Sequence, residues 1–188
     1  MKSYCLQILV VLSVLSLLGG CGGSNGSSNY SVGSTVSLHS SVTSGSSPAV
    51  TTSASDLNDY AGMDFTLTSA ILGTVTGTFV ASTISVPTYT VSYSYVSNSI
   101  NDTHQYPIPG FTLATGGSIS AGGTLEYTGT PIIKPEVKNY IQTNYPSVFS
   151  NYSSNVLTYT AHVTFNGIED TTNKSLSSTT DVTLFITK

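Results

Sequence analysis

The strict two-residue alternation along Val86–Val96 constrains this chain more than any other feature. Tyr89, Val91, Tyr93 and Tyr95 fall on one face, and Thr88, Thr90, Ser92 and Ser94 on the other. A period of two fits an extended strand with one dry and one wet face. Pro87 stands at its start, where a missing donor does least harm. The pattern returns twice near the C-terminus. Leu157, Tyr159, Ala161, Val163 and Phe165 oppose Thr158, Thr160, His162 and Thr164; Leu176, Val182, Leu184 and Ile186 then alternate with Ser and Thr. Shorter strand candidates lie at 65–70, 74–81, 111–113 and 124–133. Turn signals separate them at Gly73, 97–105, Ala121-Gly122-Gly123 and 167–174. Seven or so short strands with such punctuation predict an all-β fold, an antiparallel β-sandwich.

The period changes once. Val137, Tyr140, Ile141 and Tyr145 follow helical spacing, with Pro135 suited to a first turn and Pro146 to a stop. A single short helical crossing is therefore expected over 135–145. Tyr140, Tyr145 and Tyr152 surround it. They are a candidate partner patch if exposed; the alternative is that they dock the helix onto the sandwich.

The N-terminus obeys different rules. Lys2 gives a positive start, and the apolar run from Cys5 to Leu18 is shorter than the roughly 20 residues of a membrane-spanning helix. That is the layout of a secretory signal. Leu18-Gly19-Gly20-Cys21 resembles the lipobox of bacterial lipoproteins. The resemblance implies a diacylglycerol on the Cys21 thiol, cleavage before Cys21, and acylation (as by palmitate) of the new amino group. Two chains suffice for stable anchoring. Gly22, in place of the aspartate that retains such proteins at the inner membrane, favours the outer membrane in a Gram-negative cell. The expected organisation is a signal peptide at 1–20, a lipid-anchored linker at 21–47 and a sandwich domain at 48–188. The Gly-, Ser- and Asn-rich linker would span roughly 25–30 Å as a flexible coil. Val32, Val36, Leu38 and Val42 alternate within it and leave a short strand open there.

Removing the signal takes 20 of 188 residues and one of the two cysteines, Cys5. With Cys21 carrying lipid, no thiol remains for a disulfide or a zinc site. Charged residues are 7% of the chain and arginine is absent, so the basic stripe that nucleic acid requires does not exist. Without Lys2, four lysines face nine carboxylates, a formal charge of −5. Solubility must rest on hydroxyl and amide groups.

The mature chain also resembles the Ig-like domains of small bacterial lipoproteins. Tyr89–Tyr93, Pro107–Phe111, Lys134–Ile141 and Tyr159–Gly167 carry that likeness, which covers roughly 63–187 and implies an Ig-like sandwich without an assigned activity.

Catalytic equipment is not evident. His39, His104 and His162 stand far apart, no Gly-x-Ser-x-Gly elbow occurs, and no aspartate is placed by pattern to orient a histidine. No metal site is expected. Asp56, Asp59 and Asp64 are the weak calcium candidates, but they lack the alternating ligands and fixed glycine of a calcium loop, and solvated turn carboxylates are the better reading, as for Glu169 and Asp170. No cofactor is implied. The expected role is non-enzymatic: a lipid-anchored envelope protein acting in structure, adhesion or assembly, with the membrane as one partner and an envelope protein as another. The alternative is a module that captures a glycan or small molecule.

Overall fold

The computed structural model describes residues 27–30, 33–43, 47–73, 82–100, 102–151 and 154–188. Cys21, Tyr152, the signal and the strand expected at 74–81 lie outside them. The elements are β1 (Ser27–Tyr30), β2 (Val36–Val42), β3 (Ala49–Ser53), β4 (Ala61–Ile71), β5 (Ile84–Asn98), β6 (Phe111–Ala114), β7 (Ser118–Ile119) and β8 (Thr124–Ile133). Helices α1 (Pro135–Asn144) and α2 (Ser147–Ser150) follow, then β9 (Leu157–Glu169) and β10 (Lys174–Thr187).

They form an all-β sandwich of two sheets. The three most strongly alternating segments make the centre of the larger sheet, in the order β10-β9-β5. Its edges are shared: β1 and β3 both pair with β10, and β6 and β7 both pair with β5. Every pairing is antiparallel except β3 with β10, which runs parallel from Ala49↔Thr183 to Ser53↔Thr187. The smaller sheet is β2-β4-β8. The inward faces are those read from the alternation: Tyr89, Val91, Tyr159, Val163, Phe165, Leu184 and Ile186 are buried. Phe165 is the hub, with ring centroids 5.3 Å from Phe65, 5.7 Å from Tyr89 and 5.6 Å from Tyr127.

Two expectations are corrected. Residues 36–42, within the stretch read as linker, are a core strand: Val36 and Leu38 are fully buried. Composition hid it because Ser40 takes an inward position between Leu38 and Val42. Ser40 accepts no charge and needs none; its amide donates to Ser178 Oγ at 2.7 Å, and its hydroxyl meets those of Ser178 and Thr180 at 2.9 and 2.7 Å. A buried hydroxyl satisfied this way is compatible with a core. The turn expected at 167–174 is also shorter. β9 runs on through Gly167 and Glu169, both still on the inward parity, and the reversal occupies 170–173 with Asn173 at φ 55°.

The helix forms where its spacing predicts. Pro135 opens the first turn, where its missing N–H is no loss. Val137, Lys138 and Ile141 are buried, so this face closes one end of the sandwich while the chain crosses from β8 to β9. The helical turn α2, carrying buried Val148 and Phe149, has no periodic signal in the sequence.

Candidate functional site

The tyrosines around the crossing form a continuous array. Tyr140 lies 6.0 Å from Tyr145, Tyr145 5.2 Å from Tyr106, Tyr106 5.8 Å from Tyr95, and Tyr95 5.6 Å from Tyr159. All four contacts are edge-to-face, the geometry that ring quadrupoles favour. Tyr145 donates to the Pro107 carbonyl at 2.7 Å, and Tyr159 to that of Tyr106 at 2.7 Å. Two of the three residues of the expected patch, Tyr140 and Tyr145, are therefore together and half-buried, and Tyr145 fastens the crossing to the Pro-rich segment. Burial pushes the phenols of Tyr145 and Tyr159 up. Tyr106 is pushed up to about 12 by burial and by its hydrogen bond to Asp102, 2.5 Å away. That bond, with the His104 amide, holds the exposed Asp102 carboxyl below its usual range.

Beside Tyr145 opens a hollow of about 250 Å³, lined by Ala54, Gln142, Pro146, Phe149 and Lys188 among others. Gln142 reaches across it to donate to the Ala54 carbonyl at 2.7 Å.

The three calcium candidates lie in the loop that meets the helix and in β4. The backbone carbonyls of Asp56 and Asp59 converge on the Lys138 ammonium at 2.9 and 2.8 Å. The Asp64 carboxylate accepts from the Gly129 amide at 2.7 Å. That bond steadies a bulge where Gly129 takes φ 59° and a side chain at Gly62 would strike its carbonyl at 2.7 Å. Among the described residues no group of three or more acidic, histidine or cysteine side chains could hold a metal ion.

Two buried ionisable groups escaped the sequence reading. Lys138 is 1% exposed, its charge met by carbonyls of a loop about 80 residues earlier in the chain. Glu169, expected as a solvated turn carboxylate, is fully buried. It accepts from the Thr35 amide at 3.0 Å, the Thr35 hydroxyl, and Thr172 Oγ1 at 2.7 Å. Burial opposes its ionisation, but these donors prevail and hold the carboxyl below the ordinary range. Neither residue type signals burial in a sequence.

Pattern also missed an aspartate that orients a histidine. On the outer face of the larger sheet, His162 Nε2 lies 2.9 Å from Ser94 Oγ and Nδ1 lies 2.7 Å from Asp181 Oδ1. The connectivity is that of a nucleophilic triad. The setting is not a cleft: the three residues stand on neighbouring strands of a polar face, and the Asp181 side chain is 61% exposed. Water competes freely there, and the described hollows are lined by other residues. The arrangement braces β5, β9 and β10 side to side.

No protein family, curated protein or solved structure matches the chain.

Proposed function

We propose that this is a lipid-anchored β-sandwich of the cell envelope, held through Cys21, with a non-enzymatic role in structure, adhesion or assembly. The observation that carries the reading is the free edge of β8. Ser69 donates to the Gly123 carbonyl, so alternate residues of β8 turn their backbone toward β4 while Thr124 and Glu126 turn theirs away. Among the described residues nothing pairs with that outer side, and Glu126 is the one charge in the strand. Pro131 and the bulge at Gly129 blunt the C-terminal half of the strand, and the open stretch Thr124–Thr128 is suited to accept a strand from a partner. A photo-crosslinker at Thr124 in intact cells should capture one recurrent envelope protein. Thr124→Lys together with Thr128→Lys should abolish the capture and leave the fold intact. Undiminished capture by that double variant sinks the edge as the assembly surface.

The hollow beside Tyr145 favours a second reading, capture of a glycan or small molecule. Binding to no member of a panel of glycans and peptidoglycan fragments removes it.

A further inference from the structure

We infer that the β1 edge of the larger sheet lies against the lipid surface to which Cys21 is attached. This rests on the lipid-anchor reading and sharpens it. A tether running to residue 47 would let the domain stand at any distance and orientation. The chain is pinned much earlier. Ser27 to Tyr30 pair residue by residue with Thr179 to Leu176 of β10. Six peptide units separate Cys21 from Ser27, a reach of at most about 20 Å even when fully extended. β1 is the last strand on its side of the sheet, so the tether leaves from an edge, not from a buried position.

The surface beside it suits a lipid headgroup layer. Asn29 is exposed, and neither β1 nor its partner residues Leu176–Thr179 carry a charge. In a mature chain with an excess of carboxylates, an uncharged edge is the one that anionic headgroups repel least. The opposite edge, β6, is four strand spacings away, about 19 Å.

The test uses the full-length protein in vesicles carrying a headgroup-attached quencher. With Cys5 removed and Cys21 acylated, Asn29→Cys and Ala114→Cys each supply one free thiol for a fluorophore. Quenching at position 29 should exceed that at 114 by at least about threefold, given the separation of the two edges. An insert of about ten Gly/Ser residues after Gly23 should erase the difference. Equal quenching at both positions in a protein that incorporates labelled fatty acid overturns the orientation alone. Absence of fatty acid from the protein that retains Cys21, or its persistence in Cys21→Ala, overturns the anchor and the orientation with it.

Discussion

Tyrosine is chosen repeatedly in this core for both of its ends. Tyr89, Tyr93 and Tyr159 bury their rings, and their hydroxyls donate to the carbonyls of Pro131, Ile132 and Tyr106 at 3.1, 2.7 and 2.7 Å. The first two bonds tie β5 to the end of β8, joining the two sheets by polar contacts at the margin of an apolar interior. Removing one hydroxyl leaves a buried carbonyl bare, so Tyr159→Phe should lower stability by about 0.5–1.5 kcal/mol in urea unfolding. The same burial has a signature in alkali. Tyr89 and Tyr106 are pushed up to about 12 from an ordinary value of 10, chiefly by burial. The unfolded chain ionises first, so their contribution is full below pH 10 and is lost as pH rises toward 12. A phenolate absorbance titration should show these phenols titrating late and together with unfolding. Glu169 works in the opposite direction. Its folded value is lowered, so its contribution is present above the ordinary carboxyl value and disappears as pH falls through the folded one. Glu169→Gln should flatten the acid limb of the stability profile; an unchanged limb would show that other groups set it. Lys138→Ala should cost about 2–3 kcal/mol, because the Asp56 and Asp59 carbonyls lose a charged donor.

At the scale of elements, β2 decides where the folded unit begins. Its Val36 and Leu38 are fully buried, and Ser40 is bonded to two hydroxyls of β10. A chain beginning at Pro48 should therefore lose cooperative unfolding, whereas one beginning just before Ser27 should keep it. Calorimetry of the two truncations separates these outcomes. Long alternating strands were legible in the sequence because one face carries Val, Leu, Ile or an aromatic at most of its alternate positions. That holds for much of β5, β9 and β10, although Ser178 and Thr180 interrupt β10, and the helical spacing of Val137 and Ile141 was as clear. β2 was obscured because one of its inward positions is a serine, Ser40, whose partners, Ser178 and Thr180, lie about 140 residues away. Such pairings have no local trace. The candidate patch fared in the same manner. Tyr140 and Tyr145 could be placed on the crossing from spacing, but the Tyr106 ring and Pro107 carbonyl that hold Tyr145 come from a separate loop. The Ser94–His162–Asp181 line needs the register of three strands at once.

Across the whole molecule, cohesion comes from packing and hydroxyl bonding far more than from charge. The described residues contain one close lysine–carboxylate pair, Lys134–Glu136 at 3.8 Å, and one histidine–carboxylate contact, His162–Asp181 at 2.7 Å, both at the surface. Such pairs are worth little and are screened by salt. Raising sodium chloride should move the unfolding free energy by less than about 0.5 kcal/mol; a larger drop would expose an electrostatic contribution not accounted for by these pairs. The pairing of Ser27 with Thr179 and of Ala49 with Thr183 joins the two ends of the chain on a single strand. This arrangement also has a mechanical meaning. On the proposed Cys21 anchor, a pull on the outer surface would enter the domain through the four residues of β1. β1 can peel from β10 while β2 still holds the core closed. Its release frees the nine residues from Ser27 to Thr35, whose full extended length is roughly 30 Å. On that proposed anchor, the strand would be a latch that yields first, lengthening the leash and sparing the body it restrains.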